Sequence, residues 1–211
     1  YFQLGNSNVS IERSNFNGGS FGLLGIGTNS NFDLEHTIFQ DASIGAIQLS
    51  GNSELEIRSS IIANNGFGIR NGGSSSFDHC TIAFNSQGPG ISTSGNFFNI
   101  ITNSILWGNN SIGFSQIENS AGVTTIAYSD CQGFGEYGNV GAGVYSEGQG
   151  VINLDPLFAD DSLHLNIYSP CVDAGEPWSE DAHMPSGLGG VRADMGAYGG
   201  ALNPYWGGQP V

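Results

Sequence analysis

The stretch Ile57-Arg58-Ser59-Ser60-Ile61-Ile62-Ala63 decides the fold, because versions of it recur over residues 11–132. Each version opens on an apolar residue, passes through polar and small residues, and has an apolar residue at its sixth position. The leading residues are 20 to 25 positions apart: Ile11, Leu34, Ile57, Phe77, Ile101 and Ile126. A second marker repeats at nearly the same interval: Gly22, Gly45, Gly68, Gly90 and Gly113. Two markers with one period predict a repeat architecture.

The composition indicates that each repeat is built from strands. The chain has 34 glycines, 13 phenylalanines, no lysine and four arginines, so most strong helix formers are scarce. Short β-branched and aromatic phrases are separated by Gly, Asn and Ser clusters, which is typical of strands and turns. Three short strands and three turns per repeat predict an all-β fold, a right-handed parallel β-helix (solenoid) of about six coils of ~23 residues with an irregular C-terminal cap.

The period divides the chain into four parts. Residues 1–132 are predicted to form the coils, 133–153 a glycine-rich loop insertion, 154–200 the last coil and the C-terminal cap, and 201–211 a tail. Residues 2–4 align with residues 47–49, so the chain starts partway through a coil. Unpaired strand edges attract further pairing. We therefore expect either upstream coils or head-to-tail self-association at this end.

The net charge of −15 restricts the partners. Nucleic acids and anionic membranes are both bound through Lys and Arg side chains, which this chain nearly lacks. No stretch of 18 apolar residues is present, so the sequence predicts no membrane span. An acidic surface is compatible with cation binding or with solubility alone.

Several columns of the repeat carry candidate functional residues. Glu35, Arg58 and Asp78 share one outward column and should form a ladder of alternating charge. His36 and His79 share a turn column two coils apart, too far from each other to bind one metal. Cys80 occupies a column of small residues, which predicts a small buried side chain.

The second half of the chain carries a resemblance. Five phrases follow one another: Ser104-Ile105-Leu106-Trp107-Gly108-Asn109, Tyr128-Ser129-Asp130-Cys131, Leu154-Asp155-Pro156-Leu157-Phe158, Ser169-Pro170-Cys171-Val172-Asp173-Ala174-Gly175 and Arg192-Ala193-Asp194-Met195-Gly196-Ala197-Tyr198-Gly199-Gly200. In these phrases the chain resembles bacterial β-helix surface proteins related to pectate lyases, and in particular those that end in a choice-of-anchor Q domain. The resemblance implies export to the bacterial cell surface or the medium. It implies no particular reaction.

Two functional hypotheses follow. The first is a non-catalytic extracellular module, a rigid stalk for adhesion, glycan contact or end-to-end assembly. The second is a fragment of a polysaccharide lyase or hydrolase whose catalytic coils lie upstream. Lyase chemistry of the pectate-lyase kind uses a cation together with a Lys or Arg base. Because lysine is absent, Arg13 and Arg58 are the weak catalytic candidates.

Binding residues are also predicted. Trp107 falls in an outward column and is the candidate carbohydrate-binding residue. Asp155, Asp160, Asp161 and Asp194 are candidate ligands for Ca²⁺, although aspartates also cap turns through the backbone. No other cofactor is expected. Cys131 and Cys171 either form one disulfide, as export would allow, or stay as thiols.

Overall fold

The computed structural model describes residues 2–3, 7–26, 29–110, 116–136, 139–181 and 189–202. These residues form strands and turns and no helix. The strands, in chain order, are β1 (Phe2–Gln3), β2 (Asn8–Glu12), β3 (Asn15–Asn17), β4 (Phe21–Ile26), β5 (Asn31–Glu35), β6 (Ile38–Gln40), β7 (Gly45–Ser50), β8 (Glu54–Arg58), β9 (Ile61–Ala63), β10 (Phe67–Asn71), β11 (Ser75–Asp78), β12 (Thr81–Ala83), β13 (Ile91–Thr93), β14 (Phe98–Thr102), β15 (Ile105–Trp107), β16 (Ile117–Asn119), β17 (Val123–Ala127), β18 (Asp130–Cys131), β19 (Asn139–Val140) and β20 (Val144–Glu147).

Except at the sheet ends, each strand pairs in parallel with the strand three earlier and the strand three later in the chain, and this pairing gives three sheets. Sheet A is β1-β4-β7-β10-β13-β16-β19, sheet B is β2-β5-β8-β11-β14-β17-β20, and sheet C is β3-β6-β9-β12-β15-β18. Ile57 pairs with Leu34 on one side and with Phe77 on the other, as the predicted period requires. The parallel β-solenoid is therefore confirmed. Seven strands spaced by about 4.8 Å make the body about 29 Å long.

Alternation along each strand fills the interior. In β8, Leu55 and Ile57 are buried, while Glu54 and Glu56 are exposed. The interior holds one continuous apolar cluster, and at several positions successive coils stack like side chains on like side chains. Phe16 and Phe39, for example, stack with ring centroids 4.7 Å apart. The repeat is thus maintained by burial of apolar surface between neighbouring coils.

The turn between sheets B and C is the most regular feature of the coil. One residue in each coil has a left-handed backbone, with φ between 45° and 51°: Arg13, His36, Ser59, His79, Asn103 and Tyr128. This conformation is unfavourable for residues with a side chain. Backbone bonds to the next coil compensate, such as Ser59 N–H to the Asp78 carbonyl at 3.0 Å. The prediction that His36 and His79 are turn-stacking residues is confirmed.

The next column holds small side chains that cross-link the coils. The amide of Thr37 donates to Ser60 Oγ at 3.0 Å, and that of Cys80 donates to Ser104 Oγ at 3.0 Å. Each hydroxyl in turn donates to a carbonyl two residues earlier, as Ser60 does to Arg58 at 2.7 Å. Cys80 is fully buried in this column, as predicted.

A ladder of buried amide side chains occupies the turn between sheets C and A. Asn65, Asn85, Asn109 and Gln116 are each buried to within 1% of full burial. The Asn85 carboxamide accepts from Asn65 Nδ2 at 3.0 Å and donates to Asn109 Oδ1 at 2.8 Å. The ladder links successive coils by side chains where no strand pairing exists.

The sequence predicts a loop over the glycine-rich segment 133–153, but the structure places a further coil there. β19 pairs with β16 and β20 pairs with β17, and Ile152 forms a bridge with Asp130. The glycines allow close contact with the preceding coil. A Cβ on Gly143, for example, would lie 2.7 Å from the Asn119 side chain. The segment therefore forms one more coil of the solenoid, although its sequence lacks the regular apolar pattern of the earlier coils.

The predicted end cap also lies elsewhere. Residues 158–181 and 189–202 run along the outer face of sheet C, and we call them the C-terminal segment. Leu163 and Ala197 pack on the outward side chains Ile61 and Ala83, while Cys171 and Met195 pack on Ile105. The segment therefore covers the side of the solenoid and not its end. Of the predicted tail 201–211, residues 203–211 lie outside the described residues.

Hydrogen bonds fix the C-terminal segment to successive coils. Gly196 N–H donates to the Asn103 carbonyl at 2.7 Å, and Ala197 N–H donates to Thr81 Oγ1 at 3.0 Å. His36 Nε2 lies 2.9 Å from the Leu202 carbonyl oxygen. The segment therefore runs back toward the first coils. No helix among the described residues is long and apolar enough to cross a membrane. Head-to-tail self-association stays a prediction.

Candidate functional site

A groove of about 350 Å³ crosses the outer face of sheet B. Its floor is β11 together with the residue before it, where the outward side chains of Ser76 and Ser74 are small. Its walls are the neighbouring strands, where the outward residues are large: Glu54 and Glu56 on β8, and Phe98 and Ile100 on β14. Side-chain size along one row of each strand thus creates the groove, because the backbone of the sheet is continuous beneath it.

One wall of the groove is acidic, and Arg58 forms ion pairs with carboxylates on this wall and next to it. Arg58 Nη2 lies 2.8 Å from Asp33 Oδ1 and 3.3 Å from Glu35 Oε2, and the guanidinium also donates to Glu56. Burial opposes the charge of Arg58, but the bond to Glu56 and the charge of Asp33 raise the pKa of Arg58 above its ordinary value. A guanidinium held in this way is unsuited to accept a proton.

The predicted charge ladder is therefore confirmed only in part. Glu35 and Arg58 pair in register, as expected. Asp78 turns instead to the next coil, where its Oδ1 accepts from Thr102 Oγ1 at 2.9 Å and from Asn103 Nδ2 at 2.8 Å. Arg13, the other catalytic candidate, occupies the turn column of the first described coil. It does not line the groove.

The opposite wall is apolar and open to solvent. Phe98 is 61% exposed and Ile100 is 51% exposed. Phe98 pairs with Val123, and Val123 pairs with Val144, so the apolar surface continues toward the last coil. Val144 is also 61% exposed. Exposed aromatic and aliphatic side chains in one row of a groove are typical of a binding surface.

The structure removes Trp107 from the candidate site. Its side chain is half-buried on sheet C and packs against the buried cluster of Ile105, Cys171 and Met195, to which the C-terminal segment contributes. The outward column was predicted correctly, but the later chain covers it. The exposed aromatic residue that lines the groove is Phe98 instead. Its outward position, alternating with the buried Asn99, was the available sequence signal.

Two of the four aspartates predicted to bind calcium, Asp155 and Asp160, bond to groups within their own turns. Asp155 Oδ1 accepts from the Leu157 amide at 2.9 Å, and Asp160 Oδ2 lies 2.8 Å from His164 Nδ1. Asp161 is exposed beside a separate pocket, and Asp194 Oδ1 accepts from the Asp173 amide at 2.7 Å. Within the described ranges, no three His, Cys, Asp or Glu side chains are placed to hold a metal ion. Calcium binding stays a prediction.

Of the two alternatives left open for Cys131 and Cys171, the structure shows free thiols, and strand geometry explains why. Cys80, Cys131 and Cys171 are all buried free thiols. Cys131 points into the solenoid core, whereas Cys171 lies outside sheet C, where its Sγ is 3.3 Å from Asp130 Oδ2. Asp130 and Cys131 are adjacent in β18 and point to opposite faces of the sheet. Burial raises the pKa of all three thiols, which makes them unreactive.

Asp130 should make stability depend on pH. Burial raises the pKa of Asp130 to about 7, against about 3.9 for an ordinary aspartate. Between these values the folded state holds a proton that the unfolded state has released, so the free energy of unfolding falls as the pH rises from about 4 to 7. We expect Asp130→Asn to remove about 3 kcal/mol of this fall, measured by urea unfolding at the two ends of the range.

The matched control for Asp130→Asn is Asp161→Asn, which changes an exposed aspartate. The control should keep the wild-type pH dependence. Asp194, whose pKa is raised to about 8 by burial with a contribution from the charge of Asp181, supplies a second fall in both proteins. An Asp130→Asn protein with the full wild-type slope would contradict the burial argument.

None of the protein-family models, curated proteins or solved structures compared with this chain matches it.

Proposed function

We propose that this chain is a non-catalytic, extracellular β-solenoid module that acts as a rigid stalk and contacts a carbohydrate chain in the sheet B groove. The observation that carries the proposal is the exposed pair Phe98 and Ile100, which faces Glu54 and Glu56 across a serine floor. A sugar ring has an apolar face and a hydroxyl edge. The groove offers an apolar surface for the first and oxygen acceptors for the second.

The fold supports a stalk because the coils restrain one another throughout. The strand ladders connect each coil to the next, and the hydroxyl column and the amide ladder add side-chain links between several of the coils. Binding energy on such a surface is not spent on ordering loops, since the groove residues lie on paired strands.

The arrangement of the carboxylates supports a non-catalytic role. Glycoside hydrolysis needs one carboxyl group that donates a proton and a second one that acts as nucleophile or base. In the groove, Asp33 and Glu56 are both bonded to the same guanidinium, Arg58. An anion that is neutralised by an arginine is a poor proton donor.

A binding experiment tests the proposal. We expect Phe98→Ala to weaken the binding of soluble oligosaccharides by roughly tenfold in isothermal titration calorimetry, because stacking on an aromatic ring contributes about 1 kcal/mol or more. The ligands are uncharged, amino-sugar and uronate hexasaccharides. Ile167→Ala is the control, because Ile167 is similarly exposed but lies on the C-terminal segment. Equal affinities of the two variants for every bound sugar would contradict a role of the groove.

A carbohydrate-active enzyme is the second candidate, favoured by the position of Asp33 and Glu56 as neighbours in the sheet register. The same sugars are incubated with the protein, with and without Ca²⁺, and the products are analysed by chromatography. Cleavage that Glu56→Gln or Arg58→Ala abolishes would replace the non-catalytic proposal. We expect the sugars to be recovered intact.

A further inference from the structure

We infer that the sheet B groove takes a cationic sugar chain, a polymer of amino sugars with free ammonium groups, in preference to neutral or uronate chains. This inference rests on the proposed function, because it assigns the ligand class of the same groove. Three observations support it: one wall is acidic, the floor is about two strand spacings wide, and the backbone of the floor strand is already paired on both sides.

The charge around the groove is strongly one-sided. Four carboxylates lie on the acidic wall or next to it, those of Asp33, Glu35, Glu54 and Glu56, and Arg58 is bonded to three of them. The side chains of Asp33 and Glu56 remain 49% and 53% exposed, so a ligand can reach them beside the arginine. Glu54 is exposed and has no ion-pair partner in the part of the chain that the structure describes.

The surplus of negative charge decides the sign of the ligand. A uronate chain would bring one carboxylate per sugar against this wall and would be repelled. An ammonium group would be attracted to the same wall. The protein as a whole adds to this preference, since its net charge is −15. A neutral sugar would gain nothing from the carboxylate charges beyond hydrogen bonds.

The geometry allows one ring to meet both walls. β8 and β14 are two strand spacings apart, which is about 9.6 Å across a floor of serines. An amino sugar has an apolar ring face that can lie on Phe98 and an ammonium group that can reach Glu56. Arg58 holds the Glu56 carboxylate in place in advance, which lowers the entropic cost of binding.

The backbone of the floor argues for a sugar over a basic peptide. β11 is paired on both sides, to β8 and to β14, so its amides and carbonyls are used within the sheet. An extended peptide therefore finds no strand edge on which to pair its own backbone. The groups that remain for hydrogen bonding are hydroxyls and carboxylates, which suit a ligand rich in hydroxyl and amine groups.

The test compares three hexasaccharides by calorimetry at low and high ionic strength: a glucosamine hexamer, its fully N-acetylated form and an oligogalacturonate. We expect the glucosamine hexamer to bind most tightly and its affinity to fall with salt. The double variant Glu54→Gln/Glu56→Gln should bind it roughly tenfold more weakly, since exposed ion pairs each contribute a few-fold in affinity. Glu118→Gln/Glu136→Gln, which makes the same change in net charge away from the groove, should bind like the wild type.

The outcomes separate the inference from the function on which it rests. Equal binding of the acetylated and free amines, with no loss in Glu54→Gln/Glu56→Gln, would overturn the cationic class and leave glycan contact standing. Binding of none of the three sugars would overturn the proposed function itself. Binding of an oligolysine peptide, with the same dependence on Glu54 and Glu56 and without binding of sugars, would overturn both. Thermal unfolding of each variant verifies that the exposed substitutions leave the fold intact.

Discussion

Replacement of Asn85 by alanine is expected to lower the free energy of unfolding by about 4 kcal/mol, because four buried hydrogen bonds are lost together. Asn85 Oδ1 accepts from the amide and from the side chain of Asn65, both at 3.0 Å. Its Nδ2 donates to the Ile62 carbonyl at 3.1 Å and to Asn109 Oδ1 at 2.8 Å. The side chain is fully buried, so water cannot replace these partners without opening the turn.

The measurement is urea unfolding followed by circular dichroism, with Asn52→Ala as the matched control. Asn52 is an exposed turn residue, so the control should stay within about 0.5 kcal/mol of the wild type. If Asn85→Ala were no more destabilised than Asn52→Ala, the amide ladder would contribute nothing to the stacking of coils. The slope of the unfolding curve also matters. A lower slope would indicate that the two halves of the solenoid unfold separately.

The regular part of this fold was predictable because two separate sequence markers, the apolar phrase and the glycine series, repeat with the same period. The alternating apolar residues around Ile57 mark the inward side chains of a sheet B strand. The glycine series marks where the chain enters each strand of sheet A. The left-handed turn column was predicted as a turn because its members share a position and not a residue type: arginine, histidine, serine, asparagine and tyrosine. The position within the repeat predicts this turn, whereas the turn propensities of the individual residue types would not have predicted it.

The sequence could not predict which residues pack on the outward face of each sheet. Ile61, Ala63 and Ala83 are apolar and outward on sheet C, which indicates that something covers them. The period says nothing about which later residues do so. For this reason the sequence places Trp107 in solvent, and it places the C-terminal segment over the end of the solenoid instead of along its side. Contacts between residues more than 70 positions apart, such as that of Glu176 with Asn103, leave no periodic trace.

The candidate groove was missed for a different reason. Glu35 and Arg58, next to its acidic wall, were predicted as part of a charge ladder, but neither wall was predicted. Phe98 and Ile100 look like ordinary strand residues in a sequence with 13 phenylalanines. Their exposure follows from register: Asn99 and Ile101 point inward, so their neighbours must point outward. Counting alternation outward from Ile101 would have placed both residues beside Ser74 and Ser76.

Replacement of Gly68 by alanine should destabilise the protein by at least about 4 kcal/mol or prevent folding, because the added methyl group has no space. Gly68 lies in the glycine series that marks each coil, and it has an ordinary negative φ, so conformational freedom is not the reason for glycine here. A Cβ at this position would overlap the carbonyl oxygen of Gly90 and would lie 3.0 Å from its carbonyl carbon. That carbonyl cannot move aside freely, since it accepts from the Ile69 amide at 2.8 Å.

Gly18→Ala is the control that separates space from backbone strain. Gly18 has a φ of +77°, and no atom lies within 4 Å of the position that an added methyl group would take. Its replacement should therefore cost only about 1 kcal/mol of left-handed strain. Both variants are compared by thermal unfolding and by soluble yield. A Gly68→Ala protein as stable as Gly18→Ala would mean that neighbouring coils can separate at strand β10. The close approach of backbones marked by the glycine period would then not be required for stacking the solenoid.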